Sequence, residues 1–365
     1  MNCFMKKYSK QFLRSLLLTA SYALLALQGA CGNGGLPSSA PNPDQINGMY
    51  VHSFGDSRNT AVIFIHDSLG DASTPVTERA LGGPSLNSMF FEFGVAGRLA
   101  ASGYFVISYD LRGQGRSADA RTPSDYSYKQ SADDIKSLIA AHVASNPIII
   151  GHSHGGIIAL KFDEFYPGAS RKIVLVNTPL DMFQALNTIS ANCQSRYSKV
   201  GESSKVSEIK NSLDTLANAN SALKERSTSV VKIFEKAGTC GGNAGLYSAA
   251  AAAPEAAKFY QMMSWLRFPV SNKNQSEPID GFLINEDFIH INQTAYVTAH
   301  NDHIVGMYGS EDKLFDAGAL AQIKTSLGAD AHPERMVMID SASHNVFIDQ
   351  SVAFVKAFGT IVTAK

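Results

Sequence analysis

The sequence lacks an excess of charge of either sign, and it has only four cysteines and one tryptophan. Its 31 basic and 32 acidic side chains leave a formal net charge of −1. With no basic stripe, nucleic acid is not an expected partner. No internal apolar run reaches the roughly 20 residues that a membrane-spanning helix needs. An apolar content of 45% is ordinary for a globular protein and supports a sizeable core.

The N-terminal segment, residues 1–30, has the pattern of an export signal. Four basic side chains precede an apolar run over 16–27, and small residues follow it. The four are Lys6, Lys7, Lys10 and Arg14. Because the run is too short to span a bilayer, we interpret it as a signal peptide and expect a periplasmic or cell-envelope protein.

Cys31 follows the residues Leu-Gln-Gly-Ala at 27–30. This resembles a bacterial lipoprotein processing site, in which the cysteine is acylated and becomes the new N-terminus. Gln28 departs from the leucine that is usual three residues before such a cysteine. We expect a lipid anchor at Cys31 as the only membrane contact, with simple cleavage and release as the alternative. The Gly-, Pro- and Ser-rich residues that follow predict a flexible tether over 31–48.

Two further cysteines, Cys193 and Cys240, lie well inside the chain. If the protein is exported, they are in an oxidising compartment, which favours a disulfide. The bridge would close a loop of roughly 47 residues, worth at most ~4 kcal/mol on the chain-entropy model. The alternative is a pair of buried thiols.

Short apolar runs alternate with helix-like stretches over most of the chain. The runs are 61–65, 104–109, 147–150, 172–176, 304–308 and 335–339, and 49–54 is a candidate edge strand. Near-continuous apolar strands alternating with helices predict an α/β protein with a mostly parallel, doubly wound sheet. The alternation stops near Leu180 and resumes near Asp302. We therefore assign the core to 49–180 and 300–365.

The segment 181–299 interrupts this alternation. It is rich in Ser, Asn and Ala and has helical character, as in 204–223 and 249–266. It follows the fourth of the six runs, and loops at that edge of a parallel sheet overhang the site. We interpret it as an inserted helical cap, with an ordinary second domain as the alternative. Large apolar side chains over 259–268 are expected to line an acyl or aromatic pocket or to pack the cap onto the sheet.

The pentapeptide Gly151-His152-Ser153-His154-Gly155 lies between a β-branched run and a helix-like apolar pattern. This strand–turn–helix setting is typical of a nucleophile elbow, in which a tight turn exposes the serine above the end of the sheet. The two outer glycines remove the Cβ atoms that would collide in the turn. The pattern predicts Ser153 as a nucleophile.

A nucleophilic serine needs a base, and the base needs a third group that fixes its tautomer. Asp312 follows the run 304–308, and His344 follows the run 335–339. The chain order Ser, Asp, His is the one expected for this elbow. Both residues come just past a strand, at the edge where parallel sheets assemble their sites. We predict His344 as the base and Asp312 as the acid that orients it.

Other carboxylates compete for the role of the acid. Asp181 follows the fourth run, and Glu311 is the neighbour of Asp312 but is expected to point the other way. Asp302 and Asp340 are weaker candidates.

Other histidines are less suited to the role of the base. His152 and His154 flank the serine too closely to bend back onto its hydroxyl. His300 and His303 precede a strand and are expected to be surface or capping residues. They lack a carboxylate or a third histidine at a recognisable spacing, so neither a metal nor a cofactor is expected.

The tetrahedral intermediate of acyl transfer needs hydrogen-bond donors for its oxyanion. The backbone N–H of His154, directly after the nucleophile, is one predicted donor. The second is expected from the loop 66–70. There the N–H of Ser68 is our candidate and that of Asp67 the alternative.

These motifs together resemble the α/β-hydrolase fold superfamily, in the branch with a cap between the fourth and fifth of the six strands. The matching pieces are 66–70, 109–117, the elbow, Asp312 and His344. The resemblance implies an α/β-hydrolase fold and a capped serine hydrolase of the esterase, lipase or aminopeptidase type. The family usually has glycine at the position of Asp67, and a carboxylate there opposes the oxyanion unless it points away.

We therefore predict an exported or lipid-anchored serine hydrolase that cleaves a carboxylic ester through an acyl-enzyme. The alternatives are an amide or peptide hydrolase of the serine aminopeptidase type and a non-catalytic ligand-binding protein on the same fold. Relatives that release N-terminal proline usually carry a Trp-Glu-Asn cluster, whereas Trp265 here is followed by Leu266. The expected partner is a small-molecule ester or amide, and the oligomeric state is not predicted.

Overall fold

The computed structural model describes residues 45–68, 88–118, 120, 122–142, 144–218, 220–240 and 276–363. Within them, eight strands form one sheet. The strands are β1 (Gln45–Ile46), β2 (Met49–Phe54), β3 (Thr60–Ile65), β4 (Tyr104–Tyr109), β5 (Ile148–His152), β6 (Lys172–Val176), β7 (Ile304–Gly309) and β8 (Met336–Ile339). Their order is β1-β2-β4-β3-β5-β6-β7-β8. Pairing is parallel from β4 to β8 and antiparallel at β1 and β2, which confirms the mostly parallel sheet.

Helices cover the sheet and form the insertion. In chain order they are α1 (Met89–Phe91), α2 (Gly97–Ala101), α3 (Tyr128–Ala141), α4 (His154–Phe165), α5 (Met182–Lys199), α6 (Ser203–Ala217), α7 (Leu223–Thr239), α8 (Ser276–Glu286), α9 (Thr294–Ala299), α10 (Ala317–Ser326), α11 (Val346–Asp349) and α12 (Ser351–Ile361). A π-helical stretch, Glu92–Ala96, joins α1 to α2. In the described ranges, no helix combines the length and the apolar character needed to cross a membrane.

Strands β3 to β7 are buried on both faces, which explains why their sequences are apolar runs rather than alternating patterns. Along β3, Val62 and Phe64 pack into one apolar cluster, while Ile63 and Ile65 pack into the other. The first cluster includes residues of α2 and α12, and the second includes residues of α3, α4 and the insertion. Each such side chain contributes roughly 1.5–3 kcal/mol when it is fully buried.

Among the described residues, the insertion between β6 and β7 contains α5 to α9. Its first helix begins at the N-cap Asp181, whose Oδ1 accepts a hydrogen bond from the backbone N–H of Gln184 at 2.9 Å. The helical stretch predicted over 204–223 is interrupted, because α6 ends at Ala217 and α7 begins at Leu223. Between them the side chain of Asn218 accepts from the N–H of Asn220 at 3.0 Å, a local bond that competes with helix continuation. The stretches 249–266 and 259–268 lie outside the described residues.

Cys193 and Cys240 cross-link two helices of the insertion. Cys193 lies on α5, and Cys240 is the C-cap of α7. The structure joins them as a disulfide with 5.5 Å between the Cα atoms, and both side chains are buried. The bridge therefore ties the first helix of the insertion to its third.

A hairpin of β1 and β2 occupies the end of the predicted tether. Asn47 and Gly48 form its turn with φ of 53° and 81°. Two successive residues with positive φ give the tight hairpin turn for which Asn-Gly is preferred. Residues 45–46 thus pair with the sheet, and residues 47–48 form the hairpin turn. Cys31 and the predicted signal peptide, residues 1–30, lie outside the described residues.

Candidate active site

Ser153 lies in the turn between β5 and α4, in a strained conformation. Its φ is 54° and its ψ is −124°, a region that residues with a Cβ rarely adopt. Such strain costs on the order of 1–3 kcal/mol, so the surrounding packing must enforce it. The backbone N–H of Ser153 donates to the carbonyl of Val176 at the end of β6, at 2.9 Å. The neighbouring strand thereby holds the turn.

Three glycines make this turn sterically feasible. A Cβ on Gly151 would lie 2.4 Å from the carbonyl oxygen of Gly155, and one on Gly155 would lie 2.5 Å from the carbonyl oxygen of Ile65. These are the collisions that the sequence predicts. Gly156 is a third such position, because its Cβ would lie 1.9 Å from Oγ1 of Thr178.

Asp312 and His344, the predicted acid and base, lie together. Nδ1 of His344 donates to Oδ2 of Asp312 at 2.8 Å. Their side chains are 2% and 0% exposed, so the hydrogen bond is shielded from water. The backbone N–H of Leu314 donates to Oδ1 of Asp312 at 3.0 Å, which fixes the orientation of the carboxylate.

Contacts at the backbone of His344 hold its loop beside the elbow. Nε2 of His152, the residue before Ser153, donates to the carbonyl oxygen of His344 at 2.8 Å. The side chain of Asn177, just past β6, donates to the same oxygen at 2.7 Å and to that of Ser343 at 3.0 Å. Its amide oxygen accepts from the N–H of Gly309 at 2.8 Å. Asn177 was not among the site residues predicted from the sequence, although a polar residue directly after an apolar strand was a usable signal.

The charges around His344 favour its protonated form. Burial by itself would lower the pKa of the imidazole, but the charge and the hydrogen bond of Asp312 oppose this. The charges of Asp67 and Asp349 add to the effect, and the pKa of His344 is raised above its ordinary value. Asp67, in the loop after β3, therefore acts electrostatically on the candidate base.

The loop after β3 is held by His66. Its Nδ1 donates to the carbonyl oxygen of Asp67 at 2.7 Å, and its Nε2 accepts from the N–H of Leu111 at 2.9 Å. Burial lowers the pKa of His66, which favours the neutral ring that these two bonds require. Both bonds anchor the segment on which Ser68 lies.

The two predicted oxyanion residues touch through their side chains. The hydroxyl of Ser68 is hydrogen bonded to Nδ1 of His154, and the hydroxyl of Tyr128 is 2.8 Å from Nε2 of the same ring. The backbone N–H of His154 is at the first position of α4, where helical N–H groups lack a partner within the helix. Tyr128 was not among the site residues predicted from the sequence.

The competing carboxylates are engaged elsewhere or exposed. Asp181 caps α5, Glu311 pairs with Lys313 at 3.1 Å, Asp302 pairs with His303 at 2.9 Å, and Asp340 is exposed. His344 thus has Asp312 as its carboxylate hydrogen-bond partner in the structure.

His300 and His303 lie before β7, away from the elbow. His300 is the C-cap of α9, and its Nδ1 donates to the carbonyl oxygen of Tyr296 at 2.9 Å. His303 bridges Asp163 and Asp302, whose carboxylates raise its pKa to about 9 against the opposing effect of burial. Among the residues described, no group of three or more His, Cys, Asp or Glu side chains is arranged to hold a metal ion.

A family model and several curated proteins are similar to parts of this chain. A family model described as the alpha/beta hydrolase fold matches residues 80–351. Epoxide hydrolase B of Mycobacterium tuberculosis is 27% identical over 129 residues, which are 35% of this chain and 36% of that protein. The AB hydrolase superfamily protein YisY of Bacillus subtilis is 35% identical over 136 residues, 37% of this chain and 43% of that protein. The chain thus spans less than half the length of these curated relatives.

Solved structures are similar over a larger part of the chain. A proline iminopeptidase-related protein of Thermus thermophilus has a TM-score of 0.55 at 16% identity and covers 87% of this chain and 95% of its own. A structure from work on carboxylesterases of the thaumarchaeon Nitrososphaera gargenis has a TM-score of 0.51 at 20% identity and covers 86% and 95%. Identities this low show the fold alone. Since the family model covers most of the sequence, the chain belongs to the α/β-hydrolase fold family.

Proposed function

We propose that this hydrolase-fold protein cleaves a carboxylic ester through an acyl-enzyme formed on Ser153. The observation that carries the proposal is the buried hydrogen bond of 2.8 Å between Nδ1 of His344 and Oδ2 of Asp312, at the loop that contacts the elbow. In this arrangement His344 is the general base and Asp312 fixes its tautomer.

The position of the proton on the ring of His344 supports acyl transfer. Because Nδ1 donates to Asp312, the lone pair of Nε2 is left to take the proton of Ser153 as Oγ attacks the ester carbonyl. Asp312 stabilises the imidazolium, and the N–H groups of His154 and Ser68 hold the oxyanion. His344 then gives its proton to the departing alcohol. Water, deprotonated by His344, cleaves the acyl-enzyme and releases the acid.

The hydroxyl nucleophile argues against epoxide opening, the activity that the name of one relative states. If Oγ of Ser153 opened an epoxide, the product would be an alkyl ether of the enzyme. An ether has no carbonyl for water to attack, so the enzyme would not turn over. An ester or amide gives an acyl-enzyme, which water cleaves through the same imidazole.

A comparison of ester and anilide substrates distinguishes the ester hydrolase hypothesis from its two alternatives. We expect p-nitrophenyl esters of short to medium chain length to turn over faster than aminoacyl p-nitroanilides. The variant Ser153→Ala should lose this activity while keeping its melting temperature. Faster turnover of the anilides than of every ester would favour the peptidase alternative. A folded wild type that turns over neither class would favour the ligand-binding alternative.

We also propose that the protein is exported and held at the membrane by a lipid on Cys31. The support is the run of basic, apolar and small residues before this cysteine. Expression of the full chain in a bacterial host, followed by detergent phase partitioning, tests it. Wild type should enter the detergent phase, and Cys31→Ser should enter the aqueous phase. Equal partitioning of the two proteins would contradict the anchor.

A further inference from the structure

We infer that the hydroxyl of Ser68 is an additional hydrogen-bond donor to the oxyanion, aligned by a chain of hydrogen bonds from Tyr128 through the imidazole of His154. The inference rests on the proposed function, because it concerns the charge that develops when Ser153 attacks a carbonyl.

The three side chains form a buried chain. Oη of Tyr128 lies 2.8 Å from Nε2 of His154, and Oγ of Ser68 is hydrogen bonded to Nδ1 of the same ring. Tyr128 and His154 are 0% exposed and Ser68 is 1% exposed. Phe282 of α8 packs edge-to-face with the imidazole, with 4.8 Å between ring centroids. The ring is thus held in place by apolar neighbours and by a hydrogen bond at each nitrogen.

The members of this chain are uncharged. Burial lowers the pKa of His154 to about 3, so its ring carries one proton, on one nitrogen, at neutral pH. Burial also raises the pKa of Tyr128, with the charge of Glu286 adding to the effect, so the phenol keeps its proton.

The phenol sets the direction of the hydrogen bonds. Among the described residues, Nε2 of His154 is the hydrogen-bond partner of Oη of Tyr128. The phenol must donate its proton there, because the other direction would leave a buried O–H without an acceptor. The proton of the neutral imidazole is then on Nδ1, where it is donated to Oγ of Ser68. The hydroxyl of Ser68 accepts that bond and retains its own proton for another acceptor.

An incoming substrate supplies that acceptor. Ser68 lies on the loop after β3, which in the proposed function provides the second oxyanion N–H. A neutral donor at this place gains strength as the carbonyl oxygen becomes negative. It also offsets the charge of the preceding Asp67, which is close enough to influence His344. In this account Ser68 is a catalytic residue, while Tyr128 and the ring of His154 are positioning residues.

Steady-state kinetics with a p-nitrophenyl ester tests the inference. Ser68→Ala should lower kcat by roughly 10²-fold with little change in KM, the usual loss for one oxyanion donor. Ser68→Thr keeps the hydroxyl, and Ser68→Val replaces it with a side chain of the same size as threonine. Ser68→Thr should therefore retain a much higher kcat than Ser68→Val. Tyr128→Phe should lower kcat by about tenfold, but only in proteins that keep Ser68, so the double variant should resemble Ser68→Ala.

Tyr109→Phe is the matched control for Tyr128→Phe. Tyr109 is also fully buried, and its hydroxyl has no hydrogen-bond partner among the described residues. Its removal should leave kcat and KM unchanged.

Equal kcat in Ser68→Thr and Ser68→Val, with both proteins folded, would overturn the inference. If Tyr128→Phe lowers kcat as much in the Ser68→Ala background as in wild type, the hydroxyl of Tyr128 does not act through Ser68. That result would overturn the role of Tyr128 as a positioning residue, since the loss would arise from packing. Failure of the proposed function is distinguishable, because folded wild type would then hydrolyse no ester, or Ser153→Ala would hydrolyse it as fast as wild type, whatever the residue at position 68.

Discussion

His344 donates to Asp312 across 2.8 Å, although 32 positions separate the two residues and each follows a different strand. β7 and β8 are parallel neighbours, so their carboxyl ends bring both loops to one edge of the sheet. The elbow after β5 opens at the same edge, and a hydrogen bond from His152 to the backbone of His344 joins the two. The chemistry that we propose depends on this convergence.

Replacing the acid tests its role in fixing the tautomer of His344. In Asp312→Asn the amide can present its N–H to Nδ1, which would place the imidazole proton on Nε2. We expect kcat for an ester to fall by roughly 10³–10⁴-fold, the scale seen when a triad acid is made neutral. Steady-state ester hydrolysis by the folded variant and by wild type measures the loss in kcat.

Glu311→Gln is the control for this substitution, because Glu311 is adjacent in sequence but pairs with Lys313. Its kcat should stay within about twofold of wild type, as for most surface ion pairs. A large loss in Glu311→Gln together with a small loss in Asp312→Asn would assign the acid to Glu311.

The pH dependence of kcat/KM reports the charge on the free base. His344 acts as a base only when neutral, and its pKa is raised, so activity should fall on the acid side with a midpoint above the ordinary value of 6.5. Asp67 is one cause of the raised pKa. Asp67→Asn should therefore move the midpoint to lower pH.

Asp330→Asn is the control for this shift, because Asp330 is exposed and pairs with Lys324 at 3.1 Å. The acid side of the kcat/KM profile of this variant should coincide with that of wild type. A midpoint in Asp67→Asn equal to or above that of wild type would show that the charge of Asp67 does not reach the base.

The cross-link in the insertion should stabilise the protein. Cys193 and Cys240 close a loop of 47 residues, and the chain-entropy model gives at most about 4 kcal/mol for a loop of that size. Cys193→Ala with Cys240→Ala should lower the melting temperature relative to oxidised wild type, as should reductant. Thiol alkylation of denatured wild type before and after reduction is the direct measurement. Alkylation of both cysteines without reductant would show free thiols.

Glycine at position 151 should be required for folding of the elbow. An added Cβ would lie 2.4 Å from the carbonyl of Gly155 and 2.5 Å from Cα of Gly156, both backbone atoms that cannot rotate away. Gly151→Ala should therefore lower the free energy of unfolding by about 3 kcal/mol, the upper part of the range for overpacking, and should abolish esterase activity.

Gly359→Ala is the opposite case. Gly359 is exposed on α12, and its Cβ would meet nothing within 4 Å. Alanine there should stabilise the protein by about 0.5–1 kcal/mol, because glycine loses more backbone entropy in a helix. Urea denaturation measures the free energy of unfolding of both variants. Equal changes in the two variants would show that the elbow tolerates a Cβ at position 151.

The sheet was predictable because the parallel strands β3 to β7 are buried on two faces. Val62, Ile63, Phe64 and Ile65 are all apolar for that reason, and the same holds for the runs at β5 and β6. The placement of Asp312 and His344 followed from strand ends, since parallel strands bring their carboxyl ends to one edge. The break between the two helices at Asn218 was not predicted, because the composition is helical on both sides of it.

Contacts between distant side chains were not predictable from one sequence. Ser68 and His154 are 86 positions apart, and Tyr128 and His154 are 26 apart. None of these spacings has a local signature, because the contacts arise only when β3, α3 and α4 pack together. The same is true of Asn177, whose side chain joins the end of β6 to the His344 loop.

The most direct test of the central claim is the identity of the residue that forms a covalent bond with an organophosphonate. Peptide mapping by mass spectrometry should place the adduct on Ser153, and Ser153→Ala should remain unlabelled while His344→Gln labels much more slowly. An adduct on another residue, or no adduct on folded wild type, would contradict the proposed nucleophile.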